Sequence, residues 1–396
     1  MTLPSAEAVR KGHGRLPYQE ALSLMSLPDK VLDDGRVVKR YMSRHPAWVP
    51  GNGFIPLAIE QGIHHLKPWE TVYGGHVYSQ ASLAASLAFR ATAGRGARDR
   101  KFGIHTIHGF FSEAGIAGRP FIYEVTNLAS NASFPNLLVT ARQPSLPSRG
   151  TEGARYPKED ADLPLGPVRF SAMVSFRPAS ISQLDVQEPS PQARFAGILA
   201  SRRPMEWDPA PILDIEETLK AIPGSRQAVG VFPVFEMRKV DLRAYNAGRP
   251  LHERRELILY RLLAPLPATA STSVAKAGDE CEIGGPDAHI CAHAFGADRN
   301  GLLMIGDNVG FGNELSRAAS LSYSLVVHVD AEEAVMTYSK GDDQWWVLEG
   351  CFPRLQAGRG ILHSKIWSPR GVHVASEYQD GILRRRPRTG EEKGKL

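Results

Sequence analysis

The stretch Asp287–Met304, reading DAHICAHAFGADRNGLLM, places several chemically capable side chains in one segment of helical pattern. Asp298 stands late in it, a carboxylate among small and apolar residues. Such a group is a candidate general base, because burial raises a carboxylate's affinity for a proton. Its ordinary alternative is a helix-end carboxylate bonded to Arg299 or Asn300. His289 and His293 are four residues apart on one helical face, the spacing of a metal-binding pair. No third ligand accompanies them and no HExxH motif occurs, so they read as packing residues. No metal and no cofactor is expected. Asp307, in Gly306-Asp307-Asn308, is a rival acid that reads as a turn residue. Serine lies in no GxSxG elbow, which argues against a nucleophilic serine. The cysteines Cys281, Cys291 and Cys351 form no CxxC, and an odd, sparse set reads as free thiols in a reducing compartment.

These side chains need elements to hold them. The stretch from Asp287 reads as one long helix, with Pro286 and Asp287 as its start signal. Its small residues, Ala288, Ala292, Ala294, Gly296 and Ala297, let a sheet come close to the helix backbone. Gly75–Thr92 has the same character, with Val77, Ala81, Ala84, Ala88 and Ala91 at helical spacing. Strand patterns follow each helix. After the first they lie near Gly103–Phe111, Arg119–Leu128, Ser133–Ala141 and Val168–Phe176, with a polar insertion, Pro144–Pro167, that belongs outside the core. Ahead of the second are Val229–Leu242 and Glu256–Ala264, then the low-complexity loop Pro265–Gly285. After it come Ala319–Val329, Gln344–Cys351, Gly360–Trp367 and Val372–Leu383. Ala21–Val38 is a first apolar segment with no element assigned.

The chain therefore repeats a helix and an antiparallel meander. The expected fold is α+β, a tandem (double) hotdog, each half a long helix wrapped by an antiparallel sheet. The expected divisions are a disordered tail at 1–20, an N-terminal hotdog at 21–178, a linker at 179–225, a C-terminal hotdog at 226–385 and a polar basic tail at 386–396. The linker's prolines allow only short helices.

Composition narrows the function. The 396 residues are 42% hydrophobic and 22% charged, as in a soluble globular protein. The net charge of +5 suits an anionic ligand but is too dispersed for nucleic acid. No apolar run approaches the roughly 20 residues of a membrane span. The chain ends Gly394-Lys395-Leu396, close to the Ser-Lys-Leu peroxisomal address, so the expected location is cytoplasmic or peroxisomal. A homodimer is compatible with this composition.

Three stretches carry a family resemblance. Tyr73-Gly74-Gly75-His76-Val77 with Ser79-Gln80-Ala81 resembles the start of a first hotdog helix. His108-Gly109-Phe110-Phe111, followed by Gly118–Val125 (GRPFIYEV), resembles the next two strands. Val374–Arg384 (VASEYQDGILR) resembles a terminal strand with a catalytic glutamine. In order and separation these resemble the acyl-CoA thioesterase II family, tandem-hotdog enzymes that hydrolyse acyl-CoA thioesters. The resemblance implies an acyl-CoA, or another acyl thioester, as substrate. It puts Asp298 in the place of the family's acid, Ser320 in that of its Ser or Thr, and Gln379 in that of its Gln. The trio would hold one water and direct it at the thioester carbonyl. Gly74, Gly75 and His76 would contact substrate, with a backbone N–H there as oxyanion donor, and His108 would make a further ligand contact. The sequence departs from the family at His76 (family Gln), at Glu113 (family basic) and after Phe134, where arginines are absent. The last two put the phosphate contacts in question and leave a carrier-bound acyl group as an alternative. Two readings stand beside hydrolysis: a hotdog enoyl-thioester hydratase or dehydratase, which would need an Asp–His pair, and an inactive acyl-thioester-binding scaffold.

Overall fold

The computed structural model describes residues 15–64, 69–92, 100–129, 133–150, 155–210, 220, 222–223, 232–271, 273–299, 301–341 and 343–385. The terminal tripeptide and the tail 386–396 lie outside them. Two antiparallel helices form the centre. Helix α1 (Gly74–Thr92) is buried along most of its length, and α2 (Pro286–Ala297) is buried all round. Their small residues allow backbone-level contact: the Ser79 hydroxyl donates to the Cys291 carbonyl at 2.6 Å. Several polar groups inside α1 are satisfied. Gln80 Nε2 donates to the Leu22 and Ser23 carbonyls, and the Tyr123 hydroxyl donates to Gln80 Oε1 at 2.9 Å. Such pairing removes most of the cost of burying them.

One antiparallel sheet wraps the pair. Its strands are β1 (Leu24–Val31), β2 (Val37–Ser43), β3 (Phe102–Phe111), β4 (Ile122–Ala129), β5 (Asn136–Pro144), β6 (Leu165–Pro178), β7 (Asp208–Pro209), β8 (Phe235–Lys239), β9 (Glu256–Leu262), β10 (Leu315–Val327), β11 (Trp346–Gln356), β12 (Arg359–Trp367) and β13 (His373–Arg385). Their spatial order is β1-β2-β4-β5-β6-β3-β10-β13-β12-β11-β9-β8-β7. Read outward from the β3–β10 junction, the two halves match strand for strand, with β7 as an addition. This is a tandem hotdog, one continuous sheet around two helices.

The halves are related by an approximate two-fold axis through the His108↔Ser324 pair. Ladder irregularities fall at matching places, between Ile104 and Thr106 on β3 and between Ser320 and Ser322 on β10. On this correspondence Ile104 matches Ser320. Val174, which pairs with Ile107, matches Gln379, which pairs with Tyr323.

Three expectations are corrected, and one unassigned segment gains its elements. The long second helix is two, α2 and α3 (Gly301–Asn308), because Asp298, Asn300 and Gly301 are weak helix formers and Asp298 caps α2. The tail expected at 1–20 is ordered from Arg15. The Arg15 guanidinium donates to the Phe232 and Phe235 carbonyls and to Glu236, and Tyr18 is buried against Ser79. The insertion 144–167 contributes Tyr156, Asp160 and Leu163 to the interior; the Asp160 carboxylate accepts bonds from Ser148 and Arg149, which makes its burial tolerable. Finally, Ala21–Val38 contains β1 and the start of β2, outermost in the first half.

Candidate active site

Asp298 sits at the break between α2 and α3, where the helix end turns its carboxylate toward the other half of the chain. The first peptide groups of α1 meet it there. The Gly75 N–H donates to Asp298 Oδ2 at 2.6 Å. This N–H has no partner within its own helix, and the positive end of the helix dipole favours a negative charge at this spot. The other oxygen faces the sheet. Gln379 Nε2, on β13, donates to Asp298 Oδ1 at 2.5 Å and also lies 2.7 Å from Ser320 Oγ on β10. The Ser320 hydroxyl is 3.5 Å from Asp298 Oδ1. Carboxylate, hydroxyl and amide, drawn from three separated segments, therefore converge within hydrogen-bonding reach. Close approach demands glycine at Gly301: a Cβ there would fall 2.0 Å from Gln379 Oε1.

Burial pushes the Asp298 carboxyl up to about 7, against the opposing influence of the bonds from Gly75, Gln379 and Ser320. At neutral pH it is poised to take up and release a proton, the condition a general base requires. Arg299 beside it is held between aromatic faces, its guanidinium carbon 4.6 Å from the Trp48 ring centre and 4.9 Å from that of Phe232. The Tyr73 hydroxyl donates to the Phe295 carbonyl at 2.6 Å and fastens the start of α1 to α2.

The other expected site residues divide. Gly74 and Gly75 lie against Asp298. His76 does not join them: it is buried in the core, its ring 6.2 Å from that of Phe295. Burial drives its imidazole down to about 3, so it is neutral. Of the expected oxyanion donors at Gly74–His76, the Gly75 N–H is taken by Asp298 and the His76 N–H by the Tyr73 carbonyl, which narrows the expectation to Gly74. His108 is on the outer face of the sheet, exposed, with Nδ1 3.0 Å from Ser324 Oγ. Strand alternation sends Ile107 and Gly109 inward and His108 out. Asp307 is outside the site, 3.2 Å from Lys239 Nζ. His289 and His293 are packing residues. His289 Nδ1 accepts from the Met336 N–H, and His293 bonds the Tyr260 hydroxyl and the Ala334 carbonyl.

One buried acid went unnoticed in the sequence. Glu377 is two residues before Gln379 on β13, so both side chains face inward. It is fully buried. Burial, helped by the charge of Asp298, pushes its carboxyl up to about 8. The period-two spacing from Gln379 was the signal that would have found it.

The two-fold axis exposes an asymmetry. Gly75 and Ser86 are eleven residues apart on α1, as Asp287 and Asp298 are on the second helical stretch. Where Gly75 meets Asp298, the opposite end has Ser86 meeting Asp287, its hydroxyl donating to Oδ2 at 2.6 Å. Asp287 Oδ1 also accepts the Ile104 N–H at 2.8 Å. The far end thus has Ser86, Ile104 and Val174 in the places of Asp298, Ser320 and Gln379.

The sequence matches no protein-family model and no curated protein. Solved structures do match over nearly the whole chain. The acyl-CoA thioesterase II TesB2 of Mycobacterium marinum superposes with a TM-score of 0.52 at 19% identity, covering 93% of this chain and 98% of the other. This chain shares the tandem-hotdog fold of that structure. A TesB protein of Mycobacterium avium subspecies paratuberculosis gives a TM-score of 0.50 at 16% identity, over 87% and 92% of the two chains. Coverage of most of both chains means that the likeness extends over both halves of the tandem.

Proposed function

We propose that this protein hydrolyses acyl thioesters, of coenzyme A or of a carrier-bound acyl group, with water activated at Asp298. The observation that carries the reading is the convergence of Asp298 Oδ1, Ser320 Oγ and Gln379 Nε2 on one another at 2.5–3.5 Å. The carboxylate takes a proton from water as the water oxygen bonds to the thioester carbon. Ser320 and Gln379 orient that water, replacing an entropic cost of the reaction by fixed geometry. The tetrahedral intermediate then collapses, the carbon–sulfur bond breaks, and the thiolate recovers the proton from Asp298. The products are a carboxylic acid and a free thiol, and no cofactor is consumed. The proposed division of labour follows the tandem: the C-terminal half (226–385) brings the three groups, and the N-terminal half (21–178) brings the helix start that holds Asp298. Hydration of an enoyl thioester finds less support, because the neighbouring histidine, His76, is turned into the core.

Free-thiol release from a panel of acyl-CoAs and acyl-carrier thioesters, with wild type and Asp298→Asn, tests the proposal. Release by the wild type and loss of it in the variant is the expected result. No release from any thioester would remove the hydrolase reading.

A further inference from the structure

Arg299 directly follows the proposed base, yet the hydrolysis described above gives it no task. Its guanidinium is clamped, with the central carbon 4.6 Å from the Trp48 ring centre and 4.9 Å from that of Phe232. Such contacts hold a cation in place without neutralising it. Burial brings its guanidinium down to about 10, so it stays charged at neutral pH. Nε is buried without a partner, whereas Nη1 and Nη2 reach the surface of this half-buried side chain. Among the described residues neither makes a hydrogen bond or an ion pair. Nη1 and Nη2 form the end of the guanidinium fork, an edge that takes a carboxylate by two parallel bonds.

The acids nearby are otherwise engaged. Tyr73 is neutral: burial holds its proton well above the ordinary range, and its hydroxyl donates to the Phe295 carbonyl. Glu377 keeps its proton up to about 8. Asp298 turns its oxygens elsewhere, Oδ2 to the Gly75 N–H and Oδ1 to Gln379 and Ser320. Its charge also lapses in each turnover, when it takes the proton of water. Arg299 is then a cation with no counter-charge.

The surface between base and cation is continuous. The Trp48 carbonyl accepts the Tyr73 N–H, and the Tyr73 ring stands 5.5 Å from that of Trp48 and 5.6 Å from that of Phe232. The next residue, Gly74, faces Asp298. Consecutive Cα atoms are only about 3.8 Å apart, so a group bound on Arg299 is within the reach of a short acyl chain whose thioester lies at Asp298. The phosphates of coenzyme A are separated from the thioester by the whole pantetheine arm.

We propose that Arg299 selects the substrate by binding a carboxylate at the far end of the acyl group, so that the preferred thioesters are those of short dicarboxylic acids. The inference rests on the hydrolase reading. One clamped cation takes one anionic charge, and the aromatic faces beside it take the methylene groups between.

Thiol release from glutaryl and hexanoyl thioesters, similar chains with and without the terminal charge, tests it, each presented on coenzyme A and on acyl carrier protein. For the wild type kcat/KM should be roughly 10–100-fold higher with the glutaryl thioester, the discrimination expected of a hydrogen bond to a charged group. Arg299→Gln should lose that preference, and Arg299→Lys, which keeps the charge but not the fork, should keep only part of it. The readout is the ratio of the two substrates within each enzyme, so a general loss through Asp298 cancels. Thermal melts identify a variant that fails to fold, and the wild-type ratio stands without either variant. Release from the hexanoyl thioester as fast as from the glutaryl, or release from neither, overturns the inference. So does a preference unchanged in the variants, or a loss in Arg299→Gln that is the same for both substrates. Release from no thioester of the wider panel overturns the hydrolase reading as well.

Discussion

Ser86 occupies on α1 the place that Asp298 occupies at the end of α2, and each bonds the first turn of the opposite helix. At one end a peptide N–H meets a carboxylate; at the other a hydroxyl meets a carboxylate carried by the partner helix. The acid has changed sides, and the asymmetry between the two ends of the tandem follows from that.

Asp298→Asn keeps the shape of the side chain but removes the base. Thiol release should fall by about 10²–10⁴-fold in kcat, with a far-ultraviolet circular dichroism spectrum unchanged from wild type. A variant of equal activity would move the base elsewhere.

The pH dependence follows from the same carboxyl. With its proton affinity raised to about 7, Asp298 is protonated and inactive as a base below that pH and ionised above it. kcat/KM should therefore rise close to tenfold per pH unit below about 6 and level off above about 8. Steady-state rates from pH 5 to 9 measure this. A flat profile through pH 7 would show that Asp298 is not the titrating group.

Gly301→Ala isolates the role of Gln379. In an ordinary helix the change would stabilise by about 1 kcal/mol. Here the new Cβ lands 2.0 Å from Gln379 Oε1, and the amide must move away from Asp298. Activity should fall at least tenfold, with KM changed less than kcat, and the melting temperature should fall rather than rise.

Glu377 makes a prediction about stability. Its carboxyl holds a proton up to about 8 in the folded chain and releases it near 4.5 when unfolded. A raised acid favours folding least at high pH, because ionisation pulls toward the unfolded state. Glu377→Gln removes that pull. The variant should melt about 3 °C above wild type at pH 8, and the advantage should vanish by pH 4. Calorimetric scans at the two pH values decide it; an equal gain at both would mean a packing effect.

Much of this architecture was legible in the residues. The alanine- and glycine-rich runs marked both central helices, because a sheet can close on a helix only where side chains are small. The trio was legible through motif order: Asp298, Ser320 and Gln379 lie far apart in sequence and are brought together by the fold. That His108 faces away from the trio was not legible, because a strand's alternation gives two faces without saying which is inside, and Gly109 gives no hydrophobic signal of its own. The core position of His76 follows from helix geometry: adjacent helical residues point about 100° apart, so Gly75 against Asp298 turns His76 away from it. The end of α2 is hard to place from residues alone because an Asp and a Gly late in a helical pattern fit a helix end and a closely packed helix alike. A cavity beside the last turn of α1 has no local signature, since it is made by segments from β1, β2, α1, β3 and the loop before α2.

The β3–β10 junction joins the two halves into one polypeptide sheet. In an assembly of identical subunits, every substitution would be imposed twice, and a residue good for one end would be forced on the other. A single chain lifts that constraint. Ser86 and Asp298 stand in matching places, yet each can be selected for what happens at its own end of the helix pair, so the two ends can diverge as independent traits.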